Sequence, residues 1–211
     1  MKDYSNYHNT DYSEKFFRDS NERFDKTLAM SPESEMVTVN DSNIKVILTS
    51  TSTDPNKRVI LFKKDEVSHG DYVEHDDSQW LVVDKPYDNK IYSKSKMALC
   101  NESVTVVTQE PESVLVGTDD LGRPRYETSP PVTKELPIVV ESKTDQIFDR
   151  DEQINLPEGR LIGQIQYDSS LPLDLETEFE IFTDTYRVYN IDLSQVYKGK
   201  GVMRLFLEKN N

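Results

Sequence analysis

Cysteine is almost missing from this chain, with Cys100 the single thiol among 211 residues. One thiol excludes an internal disulfide framework and fits a reducing compartment. It ends the apolar run Met97–Cys100, where a buried thiol is expected rather than a nucleophile. The opening MKDYSNYHNTDYSEK has no apolar core of the kind a signal peptide carries. No apolar run approaches the roughly 20 residues that cross a bilayer. The expectation is a soluble chain made in the cytoplasm, with no membrane partner.

Basic residues are scarce as well. Lysine and arginine number 25 against 39 acids, a net charge of −14. Such a surface repels phosphate backbones at long range, which argues against nucleic-acid binding as the main task. Hydrophobic residues reach only 35% while charged residues reach 30%, which points to small cores with solvated extensions.

The ingredients of catalysis are thin too. The three histidines are His8, His69 and His75. His69, Asp71, His75 and Asp77 form the one concentrated set of metal-ligand types, but a turn through 76–78 would break their common face. Neither the helical nor the paired-cysteine spacing of zinc sites is present. The sequence contains no G-x-S-x-G, H-E-x-x-H, G-x-G-x-x-G or EF-hand pattern. The KGKG at 198–201 lacks Walker spacing and a following helix, so it reads as a turn. No enzyme activity, metal or cofactor is expected.

What the chain does contain is a segment that recurs, either by duplication or because two β-rich modules obey similar physical rules. Val73–Leu99, shifted by 106 positions without a gap, lies over Phe179–Leu205. Glu74, Val82, Lys94, Met97 and Leu99 then meet identical residues at 180, 188, 200, 203 and 205, and Trp80 meets Tyr186. Each copy reads as strand, tight polar turn, strand, loop, strand. Trp80 and Val82 would share one face, with Leu81 on the other, as in a strand inside a small barrel or sandwich.

Ahead of the first copy, Asp11 can cap a helix over Tyr12–Met30, which Ser31-Pro32 stops. From Met36 the period changes to two. MVTVN and IKVILTS read as a hairpin around Asp41-Ser42-Asn43, followed by RVILF at 58–62 and SVTVVT at 103–108. Residues 109–135 are Pro-rich and charged, with one short strand at Val114–Val116, and read as an extended arm or linker.

The expected fold is therefore mainly β: two small barrel- or sandwich-like domains, an N-terminal α-helix and a long Pro-rich arm. The divisions are a tip and helix at 1–35, a first β domain at 36–108, the arm at 109–135 and a second β domain at 136–211. Candidate partner-interface residues are Phe16, Phe17, Phe24 and Leu28 on the helix. On the arm they are Arg123, Pro124, Arg125, Tyr126, Pro130 and Pro131.

In order along the chain, Gly70-Asp71, Trp80-Leu81-Val82, Cys100-Asn101, Tyr186–Asp192 and Gly201–Leu207 resemble the motifs of head-tail connector (neck) proteins of tailed bacteriophages of Gram-positive bacteria. The chain departs from that pattern at Thr177-Glu178-Phe179, where an arginine would precede the aromatic, and in the Pro-rich stretch 118–134. The resemblance implies a non-enzymatic virion protein, a homo-oligomeric ring of the adaptor or stopper type around the DNA channel. Its partners would be the portal or other neck proteins and the tail, with DNA passing nearby without specific binding. The alternatives are a tail or tail-terminator protein, or a β-sandwich that binds cell-surface carbohydrate or a receptor.

Overall fold

The computed structural model describes residues 11–50, 54–118, 123–142 and 159–210. It is mainly β, with one helix, α1 (Tyr12–Met30), at the start. The Asp11 carboxylate accepts the Ser13 N–H at 3.1 Å, satisfying one orphan donor of the first turn. At the other end the Ser31 N–H donates to the Thr27 carbonyl at 2.8 Å, and the backbone then turns extended.

The helix docks on the first sheet of its own chain. Phe24 and Leu28, one turn apart, are buried against Ile47, with Leu61, Ile91 and Tyr92 around them. The Phe24 ring stacks on Tyr92 with centroids 5.1 Å apart. Leu28→Ala is therefore expected to destabilise the protein by about 2–3 kcal/mol in chemical denaturation followed by circular dichroism. A change within about 0.5 kcal/mol, the usual range for surface substitutions, would show that the helix is not clamped there.

The described residues divide into two compact units, one running to Leu99 and including Lys200–Val202, the other comprising the rest from Cys100 onward. The first holds strands β1 (Ser34–Val39), β2 (Ser42–Ser50), β3 (Lys57–Phe62), β4 (Tyr72–His75), β5 (Ser78–Val82), β6 (Tyr87–Asp88) and β7 (Ser93–Leu99). Its antiparallel pairings run β3-β2-β1-β4-β5-β7, and β7 pairs back with β3, so six strands close a barrel. Closure leaves no long unpaired edge among those six. Alternating residues fill the interior: Val37 and Val39, Val46 and Leu48, Ile60 and Phe62, Trp80 and Val82, with Val73 and Met97.

The second unit holds β8 (Glu102–Gln109), β9 (Ser113–Thr118), β10 (Pro124–Thr128), β11 (Val132–Glu141), β12 (Arg160–Gln166), β13 (Glu178–Ile181), β14 (Asp184–Asp192), β15 (Val196–Tyr197) and β16 (Lys200–Lys209). Its barrel-like sheet has the order β13-β14-β16-β12-β11-β8, with β15 on β16. Val104, Val106, Leu136, Ile138, Ile165, Phe179, Tyr186, Val188, Leu205 and Leu207 form its core.

The two sheets follow similar paths. With β8, β11, β12, β13, β14 and β16 read in place of β1, β2, β3, β4, β5 and β7, the runs β3-β2-β1 and β4-β5-β7 and the β7–β3 join all have counterparts, while in place of the β1–β4 pairing the second sheet has its two ends, β8 and β13. The register agrees at the repeated segment. Val73 pairs with Trp80 and His75 with Ser78, and 106 residues later Phe179 pairs with Tyr186 and Ile181 with Asp184. The third strand differs: Trp80 faces Leu99, whereas Tyr186 faces Lys209, four residues beyond the shifted position. Up to Val188 this even slip keeps each side chain on its own face, so the core alternation of Tyr186 and Val188 survives it; a bulge between Val188 and Asn190 then shifts the register.

Several expectations change. The first hairpin turns at Asn40-Asp41, both with positive φ, and not at 41–43. Two left-handed residues between paired strands match the strand twist, and Asn and Asp tolerate them. SVTVVT does not close the first domain: β8 pairs with β11, and Val104 and Val106 lie in the second core. The Asn101 side chain fixes that assignment by accepting the Val140 N–H at 2.7 Å and donating to the Val140 carbonyl at 2.9 Å. The chain thus changes unit at Leu99–Cys100, not at 108. The 109–135 stretch, read as an arm with one strand, contains a paired hairpin and the start of β11. KGKG is a turn as expected, with Lys198 and Gly199 both at positive φ between β15 and β16.

Candidate functional site

In the first barrel two residues, Asn40-Asp41, join the first strand to the second. At the same place in the second barrel the chain runs from β8 into β9 and returns through β10 into β11. Gln109 pairs with Val132, and beyond that pair the two strands continue as a ribbon. Pro111 on one side and Pro130-Pro131 on the other interrupt the ladder, since proline has no N–H to donate. Past the interruption the ribbon is stitched again. The Ser129 N–H donates to the Glu112 carbonyl at 2.9 Å, the Glu112 N–H donates to Ser129 Oγ at 3.1 Å, and the Ser113 and Thr128 hydroxyls lie 3.0 Å apart.

This ribbon is the candidate site because of what it exposes. Val114, Leu115, Val116 and Tyr126 are each more than half exposed. Leu115 sits directly across from Tyr126, and Val114 across from Glu127. Alternation therefore puts Leu115 and Tyr126 on one face and Val114 and Glu127 on the other, while Val116 is the extra residue of a β-bulge between the Leu115–Tyr126 and Gly117–Arg125 pairs. A two-stranded ribbon is marginal by itself in water, and three consecutive exposed apolar residues are a cost unless something covers them.

The interface residues expected from sequence fall into two groups. Pro124, Arg125 and Tyr126 lie on β10, Arg123 precedes it, and Pro130 and Pro131 follow it, all exposed. On the helix, Phe24 and Leu28 are spent on Ile47 and are not available to a partner, because the sheet beneath them is apolar at that position. Phe17 is half-buried, with the Lys90 ammonium 5.7 Å from its ring centroid. Phe16 remains exposed, one turn from the still more exposed Tyr12. Sequence reasoning missed Leu115 as the partner of Tyr126. The signal for it lay in the strand-forming types on both sides of 117–124, which the prolines obscured.

The histidine set does not assemble. His69 lies 3.0 Å from the Val83 carbonyl through Nε2, and the Asp71 carboxylate accepts the Ser68 N–H at 2.7 Å, so both serve their own turn. His75, buried, instead meets Glu35 and Asp76. Its Nε2 bonds Glu35, and Arg58 Nη1 lies 3.2 Å from Nδ1. The ligand atoms of Glu35, His75 and Asp76 lie within 4.8 Å of one another, with the Asp76 carboxylate 3.5 Å from Nδ1 and the Arg58 guanidinium beside them, whose positive charge opposes a bound cation. Arg58 also lies over the Trp80 ring, 4.8 Å from its centroid, so this group of side chains buttresses the barrel. Cys100 is half-buried and its thiol is pushed up to about 12 by desolvation, as an inert structural thiol should be.

Comparison with known proteins gives three findings. Residues 6–99 match the YomX N-terminal domain and residues 73–208 the YomX C-terminal domain, so that both matches include the first copy of the repeat. The SPbeta prophage-derived uncharacterized protein YomX of Bacillus subtilis (strain 168) is 32% identical over 215 residues, covering 99% of this chain and 97% of that protein. Among solved structures, the K. pneumonia MrkH-c-di-GMP complex covers 92% of this chain and 85% of its own at 10% identity. Its TM-score is 0.22, too low for any argument from shape.

Proposed function

The chain belongs to the YomX family, and on that premise we propose that it is a non-enzymatic structural protein of a phage particle, a ring component of the neck that joins the portal to the tail. The prophage origin stated in the name of its Bacillus subtilis relative supports a phage source. The observation that carries the assembly role is the β9–β10 ribbon, which exposes apolar side chains on both faces. Evolution keeps such a surface in a soluble chain when another surface covers it. The acidic balance fits the same reading, since a wall of net charge −14 would let DNA pass without sticking.

Negative-stain imaging of the protein alone and mixed with portal-containing heads tests the proposal. Rings seated at the portal vertex are the expected result. Saturable, calcium-dependent binding to cell-wall polysaccharide, with heads left bare, would replace it with a surface-binding role.

A further inference from the structure

Besides its two faces the ribbon has two outer edges, and neither pairs with another of the described strands. The β9 edge is kinked by the bulge at Val116, which blunts it as a template for pairing. The β10 edge is regular, and the ladder fixes which of its backbone groups point outward. The Ser129 N–H donates to the Glu112 carbonyl, so those two residues are a hydrogen-bonded pair. Alternation makes Glu127 and Val114 the next such pair. The N–H and C=O of Tyr126 and Thr128 therefore face away from β9. Pro124 starts the same edge, where a missing N–H is tolerated. We propose that β10 of one copy adds antiparallel to β10 of a second copy, with the two-fold axis at Tyr126.

Charge singles out a second copy as the occupant and sets the register. Arg125 and Glu127 flank Tyr126, share the face opposite to it, and are exposed. Neither side chain has a partner among the described residues. With the axis at Tyr126, Arg125 of each copy stands opposite Glu127 of the other. These are non-hydrogen-bonded positions of the new ladder, where side chains approach most closely. Tyr126 exchanges both backbone bonds with Tyr126 of the second copy, and the Thr128 N–H donates to the Pro124 carbonyl across the seam. An axis at Arg125 or at Glu127 also matches the backbone, but it sets that residue against its own copy, like charge on like. An axis between residues leaves the outward donors and acceptors without partners. Two chains of net charge −14 repel at long range, and the reciprocal Arg125–Glu127 pairs supply the local attraction.

An isologous contact closes at two copies, so this pair is a state of the free chain and goes beyond the ring reading. It covers an edge that would otherwise template indiscriminate strand pairing before assembly. The apolar faces of the ribbon, with Val114 on one and Leu115 on the other, stay open for a different contact. The pairing strip is small, about 17 Å long and 5 Å wide, well below the roughly 800 Å² per partner of a stable pair. Dimer should therefore appear only as the concentration rises.

Charge reversal read by sedimentation velocity tests the pairing. At a concentration where half of the parent is dimer, Arg125→Glu alone and Glu127→Arg alone should each stay monomeric. Mixed together, the two single variants should dimerise, because each supplies the charge that the other lacks. The double variant Arg125→Glu/Glu127→Arg should dimerise by itself again. Both side chains are exposed, so circular dichroism should match the parent throughout. A short bis-maleimide should join Tyr126→Cys to itself and leave Val114→Cys unjoined, since the two β9 strands of a pair lie about 14 Å apart. Cys100 can stay, because burial pushes its thiol up to about 12. Single variants that dimerise like the parent, or that are not rescued by mixing, would overturn the pairing. A parent with no dimer at any concentration, yet with rings on portal-containing heads, would overturn it while leaving the proposed function intact. Charge-dependent dimers with heads left bare would keep the pairing and remove the ring.

Discussion

Replacing Trp80 with alanine is expected to cost the first barrel about 3–5 kcal/mol, the range for truncating a buried tryptophan or phenylalanine. The indole is only 4% exposed and packs with Val73, Val82 and Met97 inside a closed six-stranded sheet. Closed barrels collapse poorly around a lost ring, because strand pairing holds the walls apart. The Arg58 guanidinium, stacked over the ring, would lose that face as well, a contact of about 0.5–2 kcal/mol. Trp80→Phe should cost far less. The indole Nε1 is buried without a hydrogen-bond partner, so removing it relieves a desolvated donor while most of the ring remains. Trp80 is the single tryptophan, so unfolding must be followed by circular dichroism and not by indole fluorescence. An alanine variant with an unchanged midpoint would take Trp80 out of the core.

The same residue shows how the sequence was legible. Trp80 and Val82 alternate with Leu81, and the matching Tyr186 and Val188 sit at the same place in the second sheet; period-two burial of this kind survives translation into structure because a strand has only two faces. The recurring segment rests on five identities in 27 positions; its first two strands pair in the same register in both sheets, while the third pairs four residues further on in the second sheet. The unit boundary was illegible for a physical reason. The β8 strand alternates like its predecessors, and only long-range pairing with β11 and the Asn101–Val140 bonds assign it to the second barrel. Helical spacing puts Phe24 and Leu28 on one stripe and leaves Phe16 off it, but whether that stripe meets the chain's own sheet or a partner depends on Ile47 and Leu61 beneath the helix, a tertiary fact that periodicity does not carry. The arm was seen as an extension, but its prolines suppressed the strand signal of β9 and β10. They are tolerated because they sit where the ladder is already broken.

The comparison of the two barrels supplies the largest expected effect on assembly. The first barrel joins its first two strands through Asn40-Asp41, and the second uses the ribbon at the equivalent place. Replacing residues 110–131 with Asn-Gly would join Gln109 to Val132, the last pair before the ribbon, by the turn type that the first barrel uses. None of the described residues removed is buried, so no core is lost, and the shorter connection lowers the entropy of closing the hairpin. Stability should stay within about 1 kcal/mol of the parent, the scale of a single ordinary substitution. Assembly should not survive: rings and binding to heads should be lost together, because every intersubunit contact in a closed ring is the same contact. A shortened protein that still forms rings would show that the ribbon is a surface ornament and that the copies meet elsewhere. One that fails to fold would show that the ribbon holds β8 on β11, and its exposed valines would then need a role inside the chain.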